Sequence, residues 1–449
     1  MRVFMLGWEF PPYISGGLGT ACYGLTRGLD EAGVEVLFVL PMPLPHDAHS
    51  HVQFRTPAWL AQAGQEEAAE PAGEEAPAEP TFRHVQMRAL PVILQPYGTP
   101  ESYREAVERL EQRGAGGQQE VEIPGLELPA GQGEAGEVGA SPGMYQGDLL
   151  GQIRRYATLA VELARREKFD LIHAHDWMTY PAGLAVAAHT GRPLVVHVHS
   201  TEFDRSGENV NQQVYDIERA GMHGADRVVC VSYLTRGIVL SRYGVEAGKV
   251  KVVYNAVELP AGGDFDASPI ARDEKIVLFL GRITMQKGPE YFLRAAQKVL
   301  TKYKKVRFVI AGSGDLTGRT VELAAELGIG RYVTFTGFLR GNDVARVFRM
   351  ADLYVMPSVS EPFGIAPLEA LSHNVPVIIS KQSGVSEVLT HVLKVDFWDV
   401  EEMANKIVAV LRHPPLQRVL RQQGQIELRR LSWRDSAERC KTIYEELAR

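Results

Sequence analysis

Short runs of aliphatic and β-branched residues alternate along the chain with stretches whose apolar positions recur every three to four residues. The runs "RVFML" and "VEVLFVL" are the first two predicted strands, joined through a helix in "ACYGLTRGLDEAG". "LIHAH", "PLVVHVH", "RVVCVS" and "VKVVYN" continue the series, each ending at a polar or small residue. From "KIVLFLGR" the alternation starts afresh, with strands "VRFVIAG", "VTFTG", "LYVMPS" and "PVIIS" separated by helical stretches such as "PEYFLRAAQKVLTKY", "RTVELAAELG", "DVARVFRMA" and "APLEALSH". Strands that read as nearly continuous apolar runs are covered on both faces, so the pattern predicts an α/β chain of two Rossmann-like, doubly wound parallel-sheet domains. The joint falls at "VELPAGGDFDASPIARDE", rich in Gly, Pro and Asp, which gives an N-terminal domain over 1–260 and a second over 261–430. Two such units face each other across a cleft at the carboxyl ends of their sheets, where ligands of open α/β sheets bind.

Two segments break the alternation. "QAGQEEAAEPAGEEAPAEP", about 62–80, is acidic and Pro/Ala-rich, and the stretch about 112–147 is Gly-rich. Neither carries enough apolar surface to offset its ordering entropy, so both are expected to be disordered insertions in the first domain. Between them, "FRHVQMRALPVILQPYG" is apolar enough for a strand pair or hairpin.

Composition narrows the function classes. The 449 residues hold 48 Lys and Arg against 55 Asp and Glu, a formal charge of −7, which is no footprint for nucleic acid. No run approaches the ~20 apolar residues of a membrane span, and the N-terminus lacks the form of a signal peptide. Cys22, Cys230 and Cys440 are far apart and odd in number, which fits buried thiols in a reducing compartment. A cytoplasmic protein without an integral membrane segment is the expectation; the oligomeric state is open.

Four stretches carry candidate chemistry. Gly16, Gly17 and Gly19 follow the first strand and precede a helix, where backbone N–H groups and the positive dipole end suit a diphosphate. A tight strand-to-helix turn without a ligand fits the same glycines, and the G-x-G-x-x-G spacing of a dinucleotide site is absent. Arg282 and Lys287 put two cations on one loop at a strand's carboxyl end, as a doubly negative group requires, though a solvated pair of charges has the same spelling. Glu361 precedes a Phe-Gly turn whose Gly364, Ile365 and Ala366 open a helix, and Glu369 lies about a turn inside it, placed to accept from a ribose diol. His173 and His175 share a strand face that ends in Asp176 and Trp177, and His197 and His199 repeat the arrangement on the next strand. Imidazole and indole there suit a sugar, while core histidines are the plainer reading. With no H-E-x-x-H helix and no Cys/His cluster in sequence, no metal site is assigned, and no G-x-S-x-G elbow supports a serine hydrolase.

Taken together, Gly-Gly-Leu-Gly at 16–19, His-Asp-Trp at 175–177, Arg282 with Lys287, and Glu361 with Glu369 resemble the nucleotide-sugar glycosyltransferases of the two-Rossmann-domain (GT-B) fold. Within them the chain is similar to family 4 and to the glycogen and starch synthases. The resemblance implies that residues 431–449 form a terminal helix crossing back to the first domain. It implies that Arg282 and Lys287 hold the donor diphosphate, with the backbone of Gly16, Gly17, Gly19, Gly364, Ile365 and Ala366. It places Glu369 on the ribose, Glu361 on the donor sugar, and His175 near the transferred sugar, with Asp176, Trp177 and His199 as further sugar or acceptor contacts. Bacterial glycogen synthases carry a lysine two residues before the paired glycines, where this chain has Ile14. The expected function is a retaining transfer of a hexose, glucose first, from ADP- or UDP-glucose to an α-glucan, with no metal or other cofactor. Alternatives are another family 4 transferase making a disaccharide, sugar phosphate or cell-envelope glycoconjugate and, more remotely, a nucleotide-sugar 2-epimerase. The expected partners are a nucleotide-sugar donor and a carbohydrate acceptor.

Overall fold

The computed structural model describes residues 1–11, 16–41, 82–90, 92, 94, 121–126, 149–258 and 274–448. Its strands are β1 Arg2–Leu6, β2 Glu35–Pro41, β3 Val85–Leu90, β4 Leu171–His175, β5 Leu194–Val198, β6 Arg227–Cys230 and β7 Val250–Val252 in one sheet. The second sheet holds β8 Lys275–Leu280, β9 Val306–Ala311, β10 Val333–Gly337, β11 Leu353–Met356, β12 Val377–Ser380 and β13 Leu393–Val395. Strand order is β3-β2-β1-β4-β5-β6-β7 in the first and β10-β9-β8-β11-β12-β13 in the second. Each pairing in both sheets is parallel. In each sheet the order reverses once, between β1 and β4 and between β8 and β11, and such a reversal opens a crevice at the strands' carboxyl ends.

Successive residues of a strand serve opposite faces, and both faces are apolar here. Phe4 and Leu6 join one core while Val3 and Met5 join the other; Val277 with Phe279 and Ile276 with Leu278 divide the second domain in the same way. The helix Trp433–Leu447 lies on the helix Gly17–Glu31 and places Trp433, Ala437 and Tyr444 in the core behind β1. Gly24 and Gly28 make that approach possible: a Cβ on Gly24 would stand 2.1 Å from the Trp433 ring, and one on Gly28 2.5 Å from the Trp433 carbonyl oxygen.

Several expectations need correction. The helix after β1 begins at Gly17 with Gly16 as its N-cap, so Gly17 and Gly19 lie in its first turn instead of preceding it. The described part of the apolar piece 82–98 supplies strand β3, paired parallel to β2, and the second arm expected of it falls on residues 91–98, most of which lie outside the described ones. Pro91 follows β3 at once and cannot donate to a ladder. Within the stretch 112–147, residues 121–126 are packed: Ile123 is buried in the first core, with Val121 and Leu126 against it. Three apolar side chains in six residues anchor this piece inside a Gly-rich surround. The segment 62–80, the rest of 112–147 and Ile14 lie outside the described residues. Strand β13, three residues long, is too short to stand out as a hydrophobic run.

Candidate functional site at the strand switch points

The candidate residues stand at the two crevices. β1 leads into Glu9 and the helix Gly17–Glu31, and β4 ends at His175 and Asp176; β8 leads into Arg282, and β11 into the loop bearing Ser358 and Glu361. Long-range charge effects link the halves. Glu9 feels Arg282 and Asp176, so a carboxylate after β1, a carboxylate after β4 and a guanidinium after β8 share one field.

Glu9 was not legible as a site residue. Its Oε2 accepts the Gly19 N–H at 3.0 Å, and a Cβ on Gly16 would stand 2.7 Å from that same oxygen. The glycine at 16 therefore admits a carboxylate of this chain, which already occupies the first-turn donor that sequence offered to a phosphate. Gly17 has open space beside it. Burial pushes the Glu9 carboxyl up to about 7, against the lowering effect of the Gly19 bond and of Arg282. The only sequence signal is an acid set among apolar residues in "GWEFPP".

At the end of β4, Asp176 adopts a left-handed φ of 63°, uncommon for a residue with a side chain. The turn is held by Thr179 Oγ1, which donates to the His175 and Asp176 carbonyl oxygens at 2.9 and 3.0 Å. Arg205 steadies the same turn from below. It donates to Ser200 Oγ at 2.7 Å and is paired with the buried carboxylates of Glu202 and Glu218. The Ser200 N–H in turn reaches Asp176 at 3.4 Å. Burial raises the Asp176 carboxyl to about 6, with Arg205 opposing.

Trp177 and His175 differ from the expectation of rings open to a sugar. Trp177 is 2 % exposed and packed in the first domain's core, so its indole face is covered and cannot serve as a sugar platform. His175 is fully buried, stacked near Phe38, and its Nδ1 shares a hydrogen bond of 3.0 Å with Nε2 of the half-buried His199. The strand's inward face, set by its period of two, draws the ring beneath the surface.

On the other side, Arg282 extends from the loop after β8 with Nη2 3.3 Å from Gln286 Oε1. Lys287 Nζ meets Glu361 Oε2 at 2.6 Å, and Ser358 Oγ donates to the same oxygen at 3.1 Å. Glu361 is fixed by its backbone, whose N–H bonds the Gln382 carbonyl and whose carbonyl accepts the Gly384 N–H. Tyr354 of β11 feels the charges of both Glu361 and Glu369, which places the two acids around one strand end. Gly364 takes a φ of 101°, and Ile365 and Ala366 lead into the helix Ala366–Ser372.

Glu369 has no side-chain hydrogen bond among the described residues, and burial raises its carboxyl to about 7 from 4.5. The folded chain then holds a proton that the unfolded chain releases between those values, so stability falls as pH rises through that window and the penalty is complete above it. Glu369→Gln is expected to melt higher than the parent at pH 8, by about 1–2 kcal/mol, with the difference closing near pH 4. Calorimetry at the two pH values checks this; an equal melting point at pH 8 would mean the carboxylate has a stabilising partner.

The domains also touch away from these residues. Ser360 Oγ donates to Asp204 Oδ1 at 2.5 Å, and Ser232 Oγ to the Pro362 carbonyl at 2.6 Å. Glu387 accepts the N–H groups of Tyr233 and Leu234, at the start of the helix Tyr233–Arg242. Among the described residues no helix is long and apolar enough to cross a membrane.

Comparison with known proteins covers most of the chain in three consecutive pieces. Residues 2–94 match the starch synthase catalytic domain, 104–260 glycosyltransferase family 4, and 263–427 the glycosyl transferases group 1. An uncharacterized glycosyltransferase of Methanocaldococcus jannaschii is 36% identical over 239 residues, 50% of this chain and 61% of its own. A D-inositol 3-phosphate glycosyltransferase of Segniliparus rotundus is 28% identical over 291 residues, 60% of this chain and 65% of its own. The chain thus spans under two thirds of the length of these relatives. Among solved structures, a sucrose-phosphate synthase of Thermosynechococcus elongatus superposes with a TM-score of 0.69 at 19% identity, covering 99% of this chain and 98% of that one. HepE of Anabaena, solved with UDP and glucose, gives 0.67 at 17% identity with both chains covered in full. With two doubly wound parallel sheets and glycosyltransferase matches along nearly its whole length, the chain belongs to the GT-B glycosyltransferases of family 4 type.

Proposed function

We propose that this chain transfers a hexose, glucose first among them, from a nucleoside diphosphate sugar to a carbohydrate acceptor with retention of anomeric configuration. The observation that carries the reading is Arg282 in the field of Glu9 from the other crevice, together with the Lys287–Glu361 pair on Arg282's own side. As the sugar–phosphate bond breaks, negative charge grows on the departing diphosphate, and Arg282 and Lys287 are the cations on hand to meet it. Lys287 would exchange part of its bond to Glu361 for phosphate oxygens, freeing a Glu361 oxygen for donor-sugar hydroxyls. Glu369 would accept from the ribose diol; its lack of another partner leaves both oxygens for that use. The N–H groups at Gly17 and at Gly364 to Ala366 would add donors to the phosphates, while Gly19 stays engaged by Glu9. His199 and Asp176, nearer the cleft than His175, would contact the transferred sugar. Because the two cations supply the countercharge, the reading calls on no metal at the diphosphate.

The match of residues 2–94 to the starch synthase domain favours an α-glucan acceptor. The D-inositol 3-phosphate glycosyltransferase relatives favour a second reading, a small phosphorylated polyol or sugar acceptor. Both share the donor chemistry. The deciding experiment measures nucleoside diphosphate release from ADP-, UDP- and GDP-hexoses, each alone, with maltooligosaccharide, and with inositol or hexose phosphates. Release that depends on maltooligosaccharide, with a lengthened product, supports the glucan reading; dependence on the phosphates moves the assignment to the second; no release with any donor overturns both.

A further inference from the structure

Four imidazoles stand on one face of the first sheet. His173 and His175 come from β4, His197 from β5 and His199 from the residue just beyond its end, and the parallel register sets His175 beside His197. Ring centroids are 4.3 Å apart for His173–His175 and 5.3 Å for both His173–His197 and His175–His197. Outer nitrogens are spoken for: His173 Nδ1 meets the Tyr444 hydroxyl at 2.5 Å, and His175 Nδ1 meets His199 Nε2. The inner ones are not. His173 Nε2, His175 Nε2 and both nitrogens of His197 are buried without a hydrogen-bond partner.

An unpaired buried polar atom is costly, so several close together call for a ligand. One nitrogen from each of the three histidines lies within 4.8 Å of the other two. An ion at the centre of a triangle of that side would sit at most about 2.8 Å from each nitrogen, so bonds of about 2.0–2.1 Å ask each ring to move by about 0.7 Å. The Tyr444 and His199 contacts fix which nitrogens face inward, the part outer-sphere partners play around metals. Neutral imidazole is the form that donates a lone pair to a metal.

We propose that His173, His175 and His197 bind one late first-row transition-metal ion, with Zn²⁺ as the leading occupant, beneath the cleft floor. Imidazole donors suit zinc, copper and nickel and do not suit magnesium or calcium. His199, half-buried, marks the route of entry from the cleft. The site was not legible in sequence because its ligands come in pairs from two strands and converge only through the register.

The test uses the full chain, stripped with a chelator, incubated with ZnCl₂ or CoCl₂ and freed of excess by gel filtration. Expected are about one zinc per chain by elemental analysis, a raised melting temperature, and an intense visible Co²⁺ spectrum of the tetrahedral kind. His197→Leu, outside the donor and acceptor contacts proposed above, is expected to lose the metal while keeping the parent's circular dichroism. Less than about a tenth of a zinc per chain, a weak octahedral Co²⁺ spectrum, or unchanged stoichiometry in a folded His197→Leu chain would each overturn the site. Should that variant fail to fold, the Co²⁺ spectrum of the parent decides alone.

Discussion

Arg282→Ala is expected to lower the rate of sugar transfer by ~10²–10³-fold while leaving the melting temperature near that of the parent, since a charge-stabilising contact made in the transition state is typically worth that much. Arg282 sits on a loop at the second crevice, where its removal empties no apolar core. Lys287→Ala is expected to lose turnover to a similar degree but to lose stability as well. It strips the cation from Glu361, whose side chain is only 8% exposed, and leaves Ser358 as the remaining partner of that oxygen. The contrast between the two variants is informative, because it separates charge at the leaving group from support of the loop. Diphosphate release under saturating donor, with a thermal melt of each variant, gives both quantities. Near-normal turnover in the two single variants would remove Arg282 and Lys287 from the phosphate role.

Gly312→Ala is expected to be the most damaging single methyl in the second domain. Gly312 has a φ of 138°, and a Cβ there would stand 1.9 Å from the carbonyl oxygen of Gly281, the residue before Arg282. Two residues on, a Cβ at Gly314 would stand 2.3 Å from the Ile283 carbonyl oxygen. The Gly-Ser-Gly turn after β9 thus lies backbone to backbone along the Arg282 loop, stitched to it by the Ile283 N–H to Ser313 carbonyl bond at 2.8 Å and the Leu316 N–H to Ile283 carbonyl bond at 3.0 Å. Backbone strain and a clash with fixed backbone together should cost about 3–4 kcal/mol and shift the Arg282 loop. Gly318→Ala is the control. It stands in a helix with open space and should stabilise by about 0.4–1 kcal/mol. Urea unfolding of the two variants checks the pair; equal stability would mean the turn can move aside.

The strands were legible because burial on both faces writes itself as apolar runs, and the spacing of Arg282 with Lys287 and of Glu361 with Glu369 marked one crevice. Depth was not legible. A period of two tells which residues share a face, and it does not tell that His175 lies under His199 or that Trp177 is roofed by the core. Nor do contacts between distant segments leave a local signature: Glu9 on the Gly19 N–H, Ser360 on Asp204, and the Gly-Ser-Gly turn against the Arg282 loop each depend on chain ends of different strands meeting. The sequence offered the Gly16–Gly19 backbone to a phosphate, and the carboxylate that takes its place comes from only ten residues upstream of Gly19, across a turn without periodicity.

The embrace of the first domain by the helix Trp433–Leu447 bears on how the protein is made. Val3, Met5, Leu25 and Phe38 share their core with Trp433, Ala437 and Tyr444, and Gly24 and Gly28 are shaped to receive that helix. On the ribosome these residues emerge before the second domain, yet their cover is synthesised only after the whole of it. The second domain can complete its own two cores in the meantime, while the first waits with an apolar face bare. Final closure of the first domain therefore waits for the synthesis of Trp433–Leu447, and a nascent chain stalled before Trp433 would present that face to chaperones or to other unfinished copies.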